Sequence, residues 1–159
     1  MPKWMGNAND THFNIKGSLM KESLKAGITH NFTFTVPESK TVPHLFPEAP
    51  EFQQMPQVLA TGFLVGLIEW TCIQAVIPHI DWPDEQTVGV AIQLSHTAAT
   101  PPGFDVTVSV TLAEIAGKRL TFEFTGSDGV DAICKGTHER FVIDAAKFAG
   151  KLADKIKQK

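Results

Sequence analysis

The chain has 159 residues, of which 43% are apolar and 19% charged, and its formal net charge is -3. This balance is typical of one globular domain and argues against a disordered chain. Because no domain-wide positive field is present, nucleic acid is not an expected partner. Cys72 and Cys134 form no C-x-x-C pair, and no secretory signal opens the chain. We therefore expect two reduced, buried thiols in a cytoplasmic protein.

The first third of the chain changes character twice. Residues 1–19 have no clear period, so we expect a loose N-terminal extension before one domain over residues 20–159. Alternating apolar residues from Ile28 to Val36 predict a strand. Residues 37–56 then hold five prolines, which remove amide donors and fix φ. A stiff, irregular loop of this length suits a lid, and a plain surface wrap is equally compatible.

The next segment, VLATGFLVGLIEWTCIQAVI, is apolar nearly all round and lies between Pro56 and Pro78. It predicts a central helix over about residues 57–77 that is buried on all sides or crosses a membrane. Glu69 at its centre and the strand-rich remainder favour a buried core helix, so no membrane partner is expected. Gly62 and Gly66 are expected to let a sheet approach the helix backbone.

Alternating apolar residues and turn signals dominate the rest of the chain. They predict strands over residues 88–96, 104–112, 120–124 and about 130–143, with turns at Gly117-Lys118 and Asp128-Gly129. A short basic helix is expected over about residues 145–157. This order predicts an α+β fold, in which an antiparallel sheet wraps around one long buried helix.

Three residues are candidates for chemistry. Glu69 would put a carboxylate in an apolar helix, where desolvation is costly unless the group is paired. Thr61 lies eight residues earlier, within about a quarter turn of Glu69, so both side chains could flank one pocket. His96 ends an apolar strand and could act as a general acid or base. Each also has a structural interpretation: a satisfied buried glutamate, a threonine bonded to its own helix, and a structural histidine.

The two arginines differ in their predicted settings. Arg140 lies within a strand, where a charge needs a partner or a ligand, and it shares parity with His138. Arg119 follows Lys118 in a predicted turn, which favours a solvated side chain. The six histidines show no paired metal-ligand spacing, so neither a metal site nor a separate cofactor is expected.

Four sequence blocks carry a specific resemblance. They are KTVPHLFPEAPEF (40–52), ATGFLVGLIEWTC (60–72), LSHTAATPPG (94–103) and DGVDAICKGTHERFVI (128–143). Through these blocks, from about Leu24 to Phe148, the chain resembles the fluoroacetyl-CoA thioesterase family and its hot-dog relatives. The resemblance implies a hot-dog fold, a small acyl-CoA substrate and a homodimer with active sites near the subunit interface.

The resemblance also implies residue roles. The catalytic threonine, glutamate and histidine of the family fall on Thr61, Glu69 and His96. A glycine near the acyl group falls on Gly89, and the arginine of the substrate pocket falls on Arg140.

The resemblance implies a lid over the acyl pocket as well. Phe52 is assigned to that pocket, whereas Met55 stands where the fluoroacetyl-specific enzyme has a phenylalanine. A flexible methionine there predicts another or broader short-acyl preference.

Two other functions are compatible with the residues. A hot-dog enoyl-CoA hydratase or dehydratase would share the fold and the handling of CoA but would release no thiol. A non-catalytic acyl-CoA binding module would bind its ligand without turnover and would tolerate Glu69→Gln. For the phosphates of CoA, the candidate cations are Lys40, Lys118, Arg119 and Lys147.

Overall fold

The computed structural model describes residues 20–159 and contains one antiparallel sheet and one long helix. The expected extension over residues 1–19 lies outside the described residues. The strands are β1 (Thr29–Thr35), β2 (Glu85–His96), β3 (Asp105–Ala116), β4 (Arg119–Ser127) and β5 (Ala132–Asp144). The helices are α1 (Pro50–Gln53), α2 (Thr61–Val76) and α3 (Ala145–Ile156). The predicted order of elements along the chain and the predicted α+β class are confirmed.

The five strands lie in the order β1-β3-β4-β5-β2, and every neighbouring pair is antiparallel. Two-residue and four-residue connections join β3, β4 and β5, and Gly117 and Gly129 adopt the positive φ that these turns require. β2 closes one end of the sheet and pairs only with β5 within the described chain. Its register with β5 shifts between Gly89 and Ala91, at a bulge that lies beside the candidate site.

The core lies between α2 and one face of the sheet. Leu64, Ile68 and Cys72 point from the helix into this layer and are fully buried. Alternate residues of β3 and β4 meet them and are also buried: Val106, Val108, Val110, Leu112, Leu120, Phe122 and Phe124. The period-2 pattern read from the sequence therefore marks the face that covers the helix. Both cysteines are free and buried, as predicted.

The sheet covers only one side of α2. Trp70 is 47% exposed, and Gly62 and Gly66 are exposed as well, so the helix has an open face. Burial on all sides is not observed within the described chain, because five strands on one side do not cover a helix that is apolar all round. The segment Thr61–His79 is long and apolar enough to span a membrane, but it is the helix that packs on this sheet.

Neither helical glycine contacts the sheet, which corrects a second expectation. A Cβ on Gly62 would meet the side chain of Leu45, at 2.9 Å from its Cδ1 atom, and a Cβ on Gly66 would meet nothing within 4 Å. Leu45 belongs to the proline-rich segment of residues 37–60, which we call the flap. The flap is closed at its base by the bridge between Thr41 and Leu59 and by the hydrogen bond from Val42 N to Val58 O (3.0 Å).

A candidate active site at the start of the central helix

Thr61 and His96 meet at one end of the sheet. Thr61 is the first residue of α2, His96 is the last residue of β2, and Thr61 Oγ1 lies 2.9 Å from His96 Nδ1. A hydroxyl within hydrogen-bond distance of an imidazole nitrogen has the geometry of a nucleophile and its general base. The pair joins residues 35 positions apart, and it depends on the antiparallel path of β2 across the sheet.

The environment of His96 favours the neutral imidazole. Burial lowers the pKa of His96, and this effect exceeds the opposing effect of a backbone contact with Ala98. His96 Nε2 is buried and has no hydrogen-bond partner within residues 20–159. A buried polar nitrogen without a partner costs about 1–3 kcal/mol, and such costs concentrate at functional sites.

The backbone around Thr61 adds positive potential. The N-cap residue of α2 is Ala60, whose side chain cannot cap the amides of the first turn. These amides and the helix dipole place partial positive charge beside the threonine hydroxyl. A negative charge that develops on a substrate at this position would be stabilised.

Glu69 lies two turns further along α2, in a separate group of contacts. Its Oε1 accepts a hydrogen bond from Arg140 Nη1 at 3.2 Å and lies 3.7 Å from His138 Nε2. Its side chain is 38% exposed, so the expected deep burial is not observed. Both contacts use Oε1, so Oε2 is left without a partner in the described chain. Glu69 is thus a paired carboxylate with one oxygen available on the open side of the helix.

Gly89 leaves room for this carboxylate. A Cβ on Gly89 would overlap Glu69 Oε1 and would lie 3.2 Å from His138 Cε1. Gly89 pairs with Arg140 across β2 and β5, directly before the bulge. The absence of a side chain at Gly89 therefore allows Glu69 to come close to strand β2.

Arg140 is held by the protein rather than open to solvent. It is 2% exposed, its Nε donates to Thr87 Oγ1 (2.9 Å), and its Nη2 donates to Thr87 O (2.8 Å). The sequence pattern indicated Arg140, but it predicted neither the contact with Thr87 nor a role for His138. Thr87 precedes Gly89 by two residues and therefore lies on the same face of β2. This spacing could have indicated Thr87 as a neighbour of the site.

The remaining sequence candidates lie around this site. Met55 is 50% exposed after α1, and Phe52 in α1 is half-buried against Phe46, with ring centroids 6.2 Å apart. Arg119 begins β4 and forms an ion pair with Glu139, which corrects its placement in a solvated turn. Because Arg119 is the first residue of β4 after the turn, its side chain can reach Glu139 on the neighbouring strand β5.

A cavity of about 260 Å³ lies beside α2 and is lined by Phe34, Lys40, Leu59, Phe63, Gly66, Leu67 and Trp70. Lys40 is the one charged residue among the described residues that line it, and the Lys40 Nζ lies 4.6 Å from the centre of the Phe63 ring. Lys40 O also accepts the hydrogen bond of Ala60 N, directly before Thr61. This lysine is therefore close to the start of α2.

Comparison with known proteins identifies relatives that share this sequence and fold. The fluoroacetyl-CoA thioesterase of Streptantibioticus cattleyicolor is 48% identical over 136 residues, which are 86% of this chain and 97% of that protein. The crystal structure of a fluoroacetyl-CoA-specific thioesterase mutant in complex with fluoroacetate and CoA is 50% identical, with a TM-score of 0.76 over 79% of this chain and 99% of the other. A hot-dog-like protein from Thermanaerovibrio acidaminovorans is 17% identical, with a TM-score of 0.70 over 83% of this chain and 93% of the other, and shares the fold.

The fold, the Thr61–His96 pair and these relatives define a hydrolase of the hot-dog fold, a thioesterase. The model of the family described as fluoroacetyl-CoA-specific thioesterase matches residues 38–146, which include the flap except Pro37, α2 and all strands except β1. The chain belongs to the fluoroacetyl-CoA-specific thioesterase family.

Proposed function

We propose that this thioesterase releases CoA from small acyl thioesters through Thr61 as nucleophile and His96 as its base. The observation that carries the proposal is the 2.9 Å contact between Thr61 Oγ1 and His96 Nδ1 at the start of α2. The burial-lowered pKa of His96 keeps its acceptor nitrogen free of a proton at neutral pH.

In the first proposed step, the acyl group moves from CoA to Thr61. Thr61 Oγ1 forms a bond to the thioester carbonyl carbon while its proton moves to His96 Nδ1. The carbonyl oxygen becomes negative near the amides of the first helical turn, where one such donor is typically worth about 10²–10³ in rate. The carbon–sulfur bond then breaks, and the CoA thiolate leaves with the proton from His96.

Water completes the proposed reaction. A water molecule attacks the acyl–Thr61 ester, the threonine oxygen regains a proton, and the free acid departs. The resemblance to the family supports Glu69 as the group that orients or deprotonates this water; its Oε1 is held by Arg140, and its Oε2 has no partner in the described chain. Direct attack of water on the thioester, with Thr61 only positioning it, is the alternative route that the experiment below separates.

The acyl group is proposed to be short, with a broader range than fluoroacetyl. Two features support this: the relative named for fluoroacetyl-CoA, and Met55 on the flap beside Phe52. A methionine is unbranched and flexible, so it closes over acyl groups of different shape less selectively than a phenylalanine ring. Among the candidate cations for the CoA phosphates, Lys40 is favoured because it lies beside the start of α2 and over the ring of Phe63.

The protein is proposed to act in the cytoplasm as a homodimer. The open face of α2 carries Trp70, and β2, which is one edge of the sheet within residues 20–159, carries Ile92, which is 37% exposed. An apolar helix face and an unpaired edge strand on one molecule are surfaces that a second copy could cover. The two free cysteines suit a reducing compartment.

The deciding experiment measures free-thiol release from acetyl-, fluoroacetyl- and longer acyl-CoA. Wild type is expected to release thiol, Thr61→Ser to retain activity, and Thr61→Ala and Glu69→Gln to lose most of it. A covalent acyl group on Thr61, trapped by rapid quenching and mass spectrometry, would support the nucleophile. Near-normal turnover by Thr61→Ala would contradict it and favour direct water attack. Absence of thiol release from every substrate would overturn the thioesterase proposal and leave the hydratase or the binding module.

A further inference from the structure

The guanidinium of Arg140 is constrained from three sides. Thr87 accepts hydrogen bonds from Nε and Nη2 of Arg140. The third nitrogen, Nη1, donates to Glu69 Oε1 at 3.2 Å and lies 3.0 Å from His138 Nε2. An arginine has five N–H donors, and four are used in this way. Because the group is planar and 2% exposed, these contacts set the direction in which Nη1 points.

The carbonyl of Ala91 and the guanidinium of Arg140 both indicate the same tautomer of His138. Its Nδ1 lies 2.8 Å from the carbonyl oxygen of Ala91, which can only accept, so Nδ1 must carry the hydrogen. Its Nε2 faces Arg140 Nη1, which can only donate, so Nε2 must be the bare nitrogen. The imidazole is therefore neutral, and burial, the largest effect on it, lowers its pKa.

His138 determines how firmly Arg140 holds the carboxylate. Nη1 is shared between Glu69 and His138, so a loss of the acceptor at Nε2 leaves one buried N–H unsatisfied and lets the guanidinium rotate. The other titratable groups around these residues are the buried thiol of Cys72, which lies near Arg140 and Glu69, and the carboxylate of Glu139, which is near His138 and paired with Arg119. Neither of them accepts a hydrogen bond from Nη1.

We propose that His138 is a positioning residue: in its neutral Nδ1–H form it orients Arg140, which in turn holds Glu69 for catalysis. This proposal rests on the proposed function, because it assumes that the carboxylate of Glu69 acts in the reaction. It also has a clear structural rival. His138 could serve only to hold the β2 bulge through Ala91, with no effect on Arg140.

Two substitutions separate these roles. His138→Asn can keep an amide N–H near Nδ1 for the Ala91 carbonyl, but it offers no acceptor to Arg140. His138→Gln can present its carbonyl oxygen near the Nε2 position to Arg140, but it gives up the Ala91 contact. A positioning role predicts that Gln retains kcat within a few-fold, whereas Asn lowers kcat by about 10- to 100-fold with KM little changed, as expected for a lost hydrogen bond to a charged group. The reverse order, with Asn active and Gln impaired, would overturn the proposal.

A second measurement does not depend on activity. The nitrogen-15 signals of the His138 ring, assigned by their absence from the His138→Gln spectrum, report which nitrogen carries hydrogen. We expect a protonated Nδ1 and a bare Nε2 at pH 7, and a protonated Nε2 would overturn the proposal. A wild type that released no thiol would contradict the proposed function, while the tautomer would still be decided. Normal thiol release with the opposite tautomer would contradict this inference alone.

Discussion

At the scale of single residues, the site depends on where hydrogen atoms and small side chains are placed. Thr61 and His96 form one contact group, and Glu69, Arg140 and His138 form another. Gly89 belongs to the second group although it makes no polar side-chain contact. Its contribution is the space that it leaves for the carboxylate of Glu69.

Gly89→Ala is expected to reduce activity without unfolding the protein. The new Cβ overlaps Oε1 of Glu69, which is the far end of a flexible side chain and can move away from Arg140. A carboxylate displaced by about 1 Å can cost about 10²-fold in kcat/KM. Thermal unfolding and thiol release measure the two effects.

Gly136→Ala is the control for Gly89→Ala, because its Cβ would overlap the backbone carbonyl of Gln93 in β2. Rigid backbone cannot move away, so that variant should lose stability. Equal loss of stability in both variants would contradict the role given to Gly89.

The pH dependence of kcat/KM is expected to reflect His96. Burial lowers its pKa below 6.5, so the neutral base persists at pH 7 and is lost only as pH falls through the lowered value. The acid limb of the profile should therefore lie below pH 6.5. The unfolded chain binds more protons than the folded one in this range, so stability also falls on acidification, and circular dichroism at each pH is the control. An acid limb centred above pH 6.5 would contradict this assignment.

Sequence patterns located these residues better than they located their contacts. The period-2 and apolar patterns predicted β1 to β5 and α2, although α2 starts at Thr61 rather than near residue 57. Residue chemistry singled out Glu69 and His96 because their settings are unusual. The Thr61–His96 contact and the role of Thr87 depend on strands brought together from distant positions, which no local pattern encodes.

At the scale of elements, the turn between β4 and β5 supports the flap. Asp128 Oδ1 accepts hydrogen bonds from Val130 N and Asp131 N, and its Oδ2 accepts one from Thr100 Oγ1 at 3.0 Å. Thr100 is fully buried, and its carbonyl accepts the amide of Leu59 at the base of the flap. One carboxylate thus links a hairpin turn to the segment that precedes α2.

Asp128→Ala is expected to destabilise the fold by about 1–3 kcal/mol, because it leaves the buried hydroxyl of Thr100 without this acceptor and removes two turn contacts. Asp131→Ala is the matched control: its side chain is exposed, and a change within about 0.5 kcal/mol is expected. Urea unfolding measures both. These hydrogen bonds lower the pKa of Asp128, so its contribution is present above pH 3.8 and is lost as pH falls through the lowered value. Equal effects of the two substitutions would contradict this role.

Met55→Phe tests the flap as the determinant of acyl selectivity. A ring at this position should close more tightly over a small polar acyl group, so the ratio of kcat/KM for fluoroacetyl-CoA to that for acetyl-CoA should rise. Pocket changes of this size are worth about 1–3 kcal/mol, or about 10- to 200-fold. Met55→Leu, which adds no ring, should leave the ratio near that of wild type. An unchanged ratio in Met55→Phe would place selectivity outside the flap.

At the scale of the whole molecule, one face of α2 is buried against the sheet, and its opposite face is exposed in the described chain. The helix pattern could not reveal this, because an apolar side chain looks the same in sequence whether a sheet or a second molecule covers it. Trp70 and Gly66 lie on that open face, and β2 leaves one edge of the sheet unpaired within residues 20–159. The homodimer proposed above would account for both features.

Ile92→Glu is expected to weaken self-association, because it places a charge on the free edge strand. Light scattering should show twice the 17.4 kDa chain mass for wild type and a shift toward one chain for the variant. Val130→Glu is the matched control, since Val130 is exposed at the β4–β5 turn. A wild type with the mass of one chain would contradict the dimer.

The two buried cysteines have a practical consequence. Burial raises the pKa of Cys72 to about 12 and that of Cys134 to about 11, so neither side chain is a reactive thiolate near pH 8. A chromogenic disulfide reagent, which releases a coloured product when it reacts with the CoA thiol, should therefore give almost no background absorbance from the cysteines of the folded enzyme. When the protein unfolds, both sulfurs become accessible and two equivalents of colour appear. The same reagent would report catalysis on native protein and, in substrate-free samples, the rate of global opening.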